Sequence, residues 1–300
     1  MNKTVIASVA LVALGTGIAG AADLPVKAPS MAPVVAPWSW SGCYVGGTAG
    51  GAWQRLRTDL AVTNNPTAGY FFTGTPALPI SSIPGVNASG SGDLNRSGFT
   101  GGGEVGCNWQ TGQWVWGLEV DAESLSLKRN FGGQFFYPPP PLANGGPYFL
   151  TVSSSTDWMF TVRPRVGVAF DRALLFVTGG LAVTNLKFNQ AFAEPPFTPT
   201  PELATLSTTK LGWVVGGGLE YALGGGWTVK GEYLYARFNA DSAVGQLVNA
   251  AGSGPGCPGT ATSFTCGATF TNNLSNLTVQ IARAGINYKF DWGGPVRAAY

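Results

Sequence analysis

The sequence predicts an all-β fold: an eight-stranded antiparallel up-and-down transmembrane β-barrel with short periplasmic turns and long extracellular loops. Three observations predict it. Between residues 40 and 290, segments of about ten residues alternate apolar with polar side chains, the strand pattern of a membrane barrel. The connections between them switch regularly between a few residues and several dozen. Beyond the N-terminal segment, no stretch holds about eighteen uninterrupted apolar residues, which excludes membrane-spanning helices.

Composition favours the same class. Charged residues make up 11% of the chain and hydrophobic residues 45%, whereas soluble domains carry roughly a quarter charged residues. The 44 glycines and 10 tryptophans suit curved strands and aromatic girdles. A soluble β-sandwich is the alternative fold. The formal net charge of +2 indicates no class of partner.

Two neighbouring segments show the alternation most clearly. From Phe99 to Trp109 the aromatic ends share a face opposite Glu104, and after residues 110–113 the pattern resumes at Trp114, with Glu119 on the polar face. Since successive strand side chains point to opposite faces, lipid would lie on one side and water or ion pairs on the other. The eight predicted strands, whose ends are uncertain by two to four residues, are 41–53, 97–109, 114–127, 156–170, 174–185, 211–222, 227–238 and 277–290.

The connections divide the barrel into two ends. Short turns are predicted at 110–113, 171–173 and 223–226, and long connections at 54–96, 128–155, 186–210 and 239–276. Loops of this length are functional or disordered. Their low charge argues against binding nucleic acid or lipopolysaccharide phosphate. Their aromatic residues either contact a partner or fold over the strand ends; these are Tyr70, Phe71, Phe72, Phe135, Phe136 and Tyr137.

The N-terminus is predicted to be processed. Residues 1–21 combine Lys3, an apolar stretch and a small-residue cleavage site at Ala19–Ala21, as in a signal peptide cut after Ala21. A retained anchor helix is the alternative. Residues 22–39 are predicted to form a Pro-rich periplasmic linker that touches peptidoglycan or, the favoured reading, leads into the wall. The barrel then occupies 40–290 and a C-terminal tail 291–300.

Four segments carry a family resemblance: 40–47, 161–167, 177–182 and 283–290. Together they resemble the alphaproteobacterial outer-membrane proteins of the Omp25/Omp31 type, in the porin family and related in architecture to the OmpA barrel. The resemblance covers nearly the whole mature chain. It implies an abundant surface antigen of a Gram-negative outer membrane that maintains envelope integrity. Some members of the family are described as porins, and some relatives bind haemin.

The chain departs from the family pattern at two places. The terminal aromatic residue of the last strand falls at Phe290, so the tail is either a periplasmic extension or ends in Tyr300 as the assembly signal; the periodicity favours the first. Cysteines occupy positions 43 and 107, where the resembling proteins usually carry aromatic residues.

The four cysteines of this exported chain divide into a wall pair and a loop pair. Cys43 begins the first predicted strand and Cys107 lies at the same end of its neighbour, which predicts a disulfide between them. Cys257 and Cys266 enclose a short part of the fourth long loop and are predicted to form the second disulfide. Four free thiols are the alternative.

Charged residues on the polar faces are predicted to point into the lumen. Because an eight-stranded barrel is just wide enough to be filled by its own side chains, they are expected to form a buried ion-pair network; unpaired charges there would cost several kcal/mol each. The alternative is a weakly selective pore. The ten residues are Glu104, Glu119, Asp121, Glu123, Arg163, Arg165, Glu220, Lys230, Glu232 and Arg283.

Other chemistries find little support. The chain contains no histidine, which removes the general base of a Ser-His-Asp triad and the commonest metal ligand. We predict no catalytic, cofactor-binding or metal-binding residue, and the glycine clusters at 101–103 and 216–218 lack the context of a phosphate loop. If loops bound haemin, the ligand would be Tyr70, Tyr137 or Tyr148, alone or with Met or Cys.

The sequence therefore predicts a surface protein that contributes to envelope integrity. A small-solute porin is the first alternative, and binding of haemin or another ligand by the extracellular loops is the second. The expected partners are outer-membrane lipid and lipopolysaccharide, together with periplasmic chaperones and the barrel-assembly machinery during biogenesis. Nucleic acid is not an expected partner.

Overall fold

A computed structural model describes residues 38–64, 71–73, 80–136, 147–195, 201–249 and 266–290. The predicted signal peptide, almost all of the linker, the tail, Cys257, Tyr70 and Tyr137 lie outside these residues. The elements in chain order are β1 (Gly42–Arg55), β2 (Arg57–Asn64), β3 (Phe72–Thr73), β4 (Ile80–Ser81), α1 (Ile83–Gly90), β5 (Gly92–Asp93), β6 (Arg96–Thr111), β7 (Trp114–Phe136), β8 (Pro147–Phe170), β9 (Ala173–Ala193), β10 (Glu202–Gly224), β11 (Trp227–Phe238), β12 (Asp241–Asn249), β13 (Cys266–Leu274) and β14 (Leu277–Phe290).

Eight of the strands close into an antiparallel barrel in the order β1-β14-β11-β10-β9-β8-β7-β6. The first strand pairs with the last, with Gly46 opposite Asn287. The predicted up-and-down barrel is confirmed, and its last strand ends at Phe290. Because hydrogen bonding runs around the whole ring, the barrel has no exposed edge.

The outer face of the barrel carries an apolar band. On β10 the outward residues run from Leu211 through Trp213 to Tyr221 and Leu223, and each of these four is about half exposed. These 13 residues, in a strand tilted by about 40°, span roughly 30 Å, enough to cover the lipid-facing band of about 25 Å. Tryptophan and tyrosine lie near both edges of the band, where an interfacial girdle is expected.

Four of the barrel strands are longer than predicted. β7 continues to Phe136, β8 begins at Pro147, β9 continues to Ala193 and β10 begins at Glu202, so most of 128–155 and 186–210 is strand rather than loop. The physical reason is a change of solvent. Within the membrane band the outward residues are apolar. Beyond the band, towards the long-loop end, the inward residues are apolar instead, as Phe188 and Phe192 on β9 show.

The other two long connections are also structured. Residues 54–96 contain β2, β5 and the short helix α1, and 239–276 contain β12 and β13. A four-stranded sheet in the order β12-β13-β2-β5 joins them, with Val62 opposite Phe270. This sheet and α1 form what we call the cap, at the long-loop end of the barrel.

The cap packs on the inner face of the upper barrel through an apolar core. Phe270 of the cap lies 5.2 Å, between ring centroids, from Phe192 of the wall, and Phe71 lies 5.7 Å from the same ring. Val86 of α1 is fully buried in this core. Of the loop aromatic residues, Phe71 folds over the strand ends, whereas Phe136 is 68% exposed. We call the apolar core between the cap and the barrel wall, which includes Phe71, Val86, Phe192 and Phe270, the upper core.

A smaller apolar cluster fills the short-turn end. Trp40 packs there with Val115, Phe176 and Ala222, and the partly buried Trp38 lies against them. Among the described residues, no helix has the length and apolar character needed to cross a membrane.

Candidate functional site in the barrel lumen

The lumen between the two apolar layers holds charged side chains. The inward residues of β7 show the order along the axis: Val115 lies at the short-turn end, then Glu119, Asp121 and Glu123, and then Leu125 below the upper core. β14 repeats it in the opposite direction, with Ile281 followed by Arg283 and Asn287. The polar layer is therefore enclosed by apolar side chains at both ends.

All ten residues predicted to face the lumen lie in this layer, and each is at most 5% exposed. Six carboxylates, on β6, β7, β10 and β11, face four cations on β8, β11 and β14. We call these ten residues the lumen network. Their inward direction follows from the two-residue period of the strands.

Lys230 lies among three carboxylates. Its Nζ is 2.7 Å from Glu104 Oε2, 2.9 Å from Glu119 Oε2 and 3.7 Å from Glu232 Oε2. Oxygens of these three glutamates lie within 4.8 Å of one another, a spacing that could hold a metal ion. The ammonium group already takes the position that such an ion would occupy, so the geometry is that of an ion-pair cluster.

Arg283 joins strands on opposite sides of the ring. Its guanidinium lies 2.6 Å from Glu232 Oε2 on the neighbouring strand, and 3.2 Å from Asp121 Oδ1 on β7. It also pairs with Glu123. Because β14 and β7 are not neighbours in the ring, this side chain crosses the lumen.

The two arginines around Pro164 both point inward, as alternate residues of β8. Arg163 pairs with Glu119, and its Nη2 lies 3.0 Å from Asp121 Oδ2. Arg165 Nη2 lies 2.6 Å from Glu220 Oε2. The Arg165 guanidinium also lies 4.4 Å above the ring of Phe176, in cation–π geometry that links the network to the apolar cluster below.

Neutral side chains supply further hydrogen bonds to the carboxylates. Tyr44 Oη donates to Glu119 Oε2 at 2.6 Å, Thr100 Oγ1 to Glu123 Oε2 at 2.7 Å, and Thr228 Oγ1 to Glu220 Oε1 at 2.6 Å. The sequence argument missed these residues because it considered only charged side chains. Their inward position in the alternation was the available signal.

This arrangement can hold the wall together and exclude solutes. A buried charge that loses its partner is strongly unfavourable, so each cation keeps carboxylates of several strands in place. The network and the apolar layers above and below it fill the cross-section with side chains, as expected at eight strands.

A disulfide joins β1 to β6 at the short-turn end, on the outer face. Cys43 and Cys107 are directly opposite in the strand register and are bonded, which confirms the predicted wall pair. The predicted pair of Cys257 with Cys266 depends on a residue outside the described part of the chain.

Of the three tyrosines that the haemin alternative would use, Tyr148 is not at the surface. Tyr148 is 3% exposed, stacks on Phe135 at 5.6 Å between ring centroids, and its Oη lies 3.2 Å from Ser89 Oγ. It is a residue of the upper core. The other two tyrosines, at positions 70 and 137, lie outside the described residues.

A closed eight-stranded ring with an apolar outer band, aromatic edges and a charged, buried interior defines an outer-membrane β-barrel protein. The family model described as outer membrane protein beta-barrel domain matches residues 10–290. The chain belongs to this family.

Curated relatives place it more narrowly. The 31 kDa outer-membrane immunogenic protein of Brucella melitensis is 31% identical over 247 residues, which cover 78% of this chain and 86% of the relative. The 25 kDa outer-membrane immunogenic protein of Brucella abortus is 24% identical over 97% of this chain and 99% of its own. The 22 kDa outer membrane protein of Rhizobium leguminosarum is 28% identical over 55% of this chain and 69% of its own. The chain is thus a surface protein of the Omp25/Omp31 type in the outer membrane of a Gram-negative bacterium, and its short-turn end faces the periplasm.

Solved structures with similar folds include the outer membrane protease OmpT of Escherichia coli, with a TM-score of 0.44, 9% identity and coverage of 86% of this chain and 99% of that one. OprG of Pseudomonas aeruginosa gives a TM-score of 0.37 and 10% identity over 83% of this chain and 97% of its own.

Proposed function

We propose that the protein is a closed, non-conducting barrel that strengthens the outer membrane and presents its folded cap at the cell surface. The observation that carries this proposal is the filling of the lumen. All ten charged residues of the lumen network are at most 5% exposed, and apolar side chains cover them on both sides. A solute crossing the barrel would have to displace paired charges that are costly to separate.

We also propose that the protein has no catalytic role. The carboxylates Glu119 and Asp121, which alternate like a pair for acid–base chemistry, both contact arginines: Glu119 pairs with Arg165 at 3.1 Å and Asp121 with Arg163 at 3.0 Å. Neither is exposed to a substrate. The absence of histidine from the sequence supports the same conclusion.

Conductance separates this proposal from the porin alternative. Purified protein in a planar bilayer is expected to give no steady current, under conditions in which a known porin conducts. Steady channels in most insertions would overturn the closed-barrel proposal. Liposome swelling with a small sugar provides an independent measurement of the same property.

A cell experiment tests the structural role. Cells that lack the protein are expected to become more sensitive to detergent, and the wild-type chain is expected to restore resistance. Unchanged detergent sensitivity in cells without the protein would contradict the proposal. Detergent resistance that only a conducting form of the barrel restores would contradict it as well.

A further inference from the structure

The outer wall carries a basic cleft at the extracellular edge of the apolar band. The cleft has a volume of about 560 Å³, and its lining includes Arg55, Arg96, Ser97 and Gln280 beside Trp53. These side chains offer two guanidinium groups and neutral donors, and no carboxylate lines the cleft. Such a surface suits an anion with several oxygens, because guanidinium groups bind phosphate through paired hydrogen bonds.

The two arginines lack ion-pair partners in the described part of the chain. Two other cations at this end of the barrel are paired: Arg57 lies 3.0 Å from Asp59, and Lys187 lies 3.0 Å from Asp157. The internal segments outside the description, 65–70, 74–79, 137–146, 196–200 and 250–265, contain no Asp or Glu in their sequence. These segments therefore supply no carboxylate that could neutralise the cleft.

A third guanidinium extends the basic edge. Arg55 and Arg237 are both opposite Thr278, on the two strands that flank β14. Neighbouring strands are about 4.8 Å apart, so the two arginines lie at one level, with backbones roughly 10 Å apart. Arg96 also lines a second cleft of about 410 Å³ that includes Lys128 together with Asp157, the carboxylate that pairs with Lys187. Positive charge thus continues along the extracellular edge of the apolar band.

Directly below the cleft the lipid-facing wall is unusually flat. The outward residues are small over about 13 Å of β1 and over about 7 Å of each neighbouring strand, where Phe99 of β6 and Ile286 of β14 border them at opposite ends. The small residues are Gly47, Ala49 and Gly51 on β1, Gly101 and Gly103 on β6, and Ala282 and Ala284 on β14. We call this area the trough.

Packing inside the protein does not explain the small residues of the trough. A Cβ atom at Gly47 would have its nearest neighbour at 3.9 Å, and one at Gly103 at 3.6 Å, which leaves ordinary space. At inward Gly46, by contrast, a Cβ would collide with Asn287. Since glycine within a strand costs roughly 0.5–1 kcal/mol relative to alanine, these outward glycines point to something outside the wall.

We propose that the cleft and the trough form one binding site for a phosphorylated, multiply acylated lipid of the outer leaflet, with its phosphate on Arg55 and Arg96 and its acyl chains along the trough. The position supports a lipid, because the cleft lies above Trp53, at the level where headgroups meet hydrocarbon. The proposal rests on the outer wall and stands whether or not the lumen conducts.

A second copy of the chain fits this surface less well. Two copies in one membrane share their orientation, so a two-fold axis would run along the membrane normal and bring identical heights together. Arg55 and Arg96 of one copy would then face those of the other without carboxylates between them. Like charges in this position oppose association.

Native mass spectrometry of the full chain in detergent tests the proposal. Three probes are titrated: a bisphosphorylated lipid A, its dephosphorylated form, and inorganic phosphate. The wild type is expected to retain one phosphorylated lipid and to bind the dephosphorylated lipid about tenfold more weakly or worse. Inorganic phosphate is not expected to compete at concentrations equal to those of the lipid.

Two independent variants address the two parts of the site. R55Q/R96Q removes the phosphate contacts, and G47L/G103L fills the trough without changing charge; each is expected to weaken lipid binding at least tenfold. Their matched controls are R129Q/R172Q, exposed arginines away from the cleft, and G179L, an outward glycine on β9 with 3.5 Å of space. Both controls are expected to bind as the wild type does. Heat-modifiable migration on gels checks that each variant is folded.

Four results would overturn the proposal. Equal binding of phosphorylated and dephosphorylated lipid would remove the phosphate contact, and full competition by inorganic phosphate would indicate a free-anion site. Unchanged lipid binding in folded R55Q/R96Q or folded G47L/G103L would remove the site itself. A protein dimer that G47L/G103L abolishes, with no lipid retained, would assign the trough to a second copy.

Discussion

At the scale of single residues, Lys230 shows how a lumen cation is held by carboxylates of several strands. It contacts carboxylates of β6, β7 and its own strand, all buried. Lys230 is the nearest cation to Glu104, which otherwise keeps only Arg283 at 3.5 Å among the described residues, and without it the six buried carboxylates would face three cations. Its removal should therefore cost far more than that of a surface lysine.

The variant Lys230→Met is expected to lower the free energy of unfolding by about 3–5 kcal/mol, because it leaves uncompensated charge in the lumen. Adding Glu104→Gln, which removes the carboxylate 2.7 Å from Nζ, is expected to restore part of the loss. Urea unfolding in detergent micelles measures both effects. Lys187→Met, at an exposed ion pair, is the control and should change stability by less than about 1 kcal/mol. A loss in K230M no larger than in K187M would contradict the argument.

Alternation along the strands is enough to place charged residues on the inner face, because each strand has one lipid-facing and one inward side. It does not determine which charge meets which. Arg283 contacts Asp121 across the lumen, a pairing that depends on ring closure and side-chain length. The hydroxyl donors, such as Tyr44, required the same three-dimensional information.

At the scale of elements, the main feature is the part of the barrel that rises above the membrane band. β7 to β10 continue there and enclose the upper core, with polar residues outside and apolar residues inside. This pattern is opposite to that of the membrane-spanning part. Because the prediction relied on apolar outer faces, the predicted β7 and β9 ended too early and the predicted β8 and β10 began too late.

Bulges added to this difficulty. On β8 the pairing with β9 shifts between Ser155 and Met159, so the inward positions change from even to odd numbers within one strand. A sequence pattern with a fixed two-residue period is interrupted at such a place. The cap strands were missed for a different reason: β2 and β13 are stabilised by pairing with each other across more than two hundred residues of sequence.

Phe192→Ala is expected to loosen the cap while leaving the membrane-spanning wall folded. The side chain is fully buried and packs on Phe71, Tyr148 and Phe270, so its truncation should cost about 3–5 kcal/mol. Limited proteolysis of the protein in liposomes is expected to cut the cap of the variant, with the barrel core still protected.

The control for this experiment is Phe136→Ala, at the long-loop end of β7, where the side chain is 68% exposed. It should leave the proteolysis pattern unchanged. Equal protection of F192A and the wild type would show that the upper core does not hold the cap, and loss of heat-modifiable migration would show that cap and wall unfold together.

At the scale of the whole molecule, the disulfide fastens the first strand to its neighbour. Cys43 and Cys107 are 64 residues apart in sequence. In the chain-entropy model, closing a loop of this length contributes about 4 kcal/mol. The protein also depends on the outer membrane as the solvent for its apolar band. This class of fold, a membrane β-barrel, was predictable from the regular alternation along the strands.

The variant C43S/C107S is expected to unfold at a lower urea concentration than the wild type under oxidising conditions. Cys257→Ser/Cys266→Ser, which keeps the wall disulfide, should lie closer to the wild type. Reductant should narrow the difference in unfolding midpoint between the wild type and C43S/C107S. Identical unfolding midpoints for all three chains in oxidising buffer would contradict a stabilising role for the wall disulfide.

The pairing of β2 with β13 has a consequence for biogenesis. These strands directly follow β1 and precede β14, the two strands whose contact seals the ring. Contacts between such distant parts of a chain form late, because the intervening polypeptide must first be ordered. The cap sheet can be completed only when the C-terminal strands have arrived, so a chain stalled before that step would have neither a finished wall nor a finished cap.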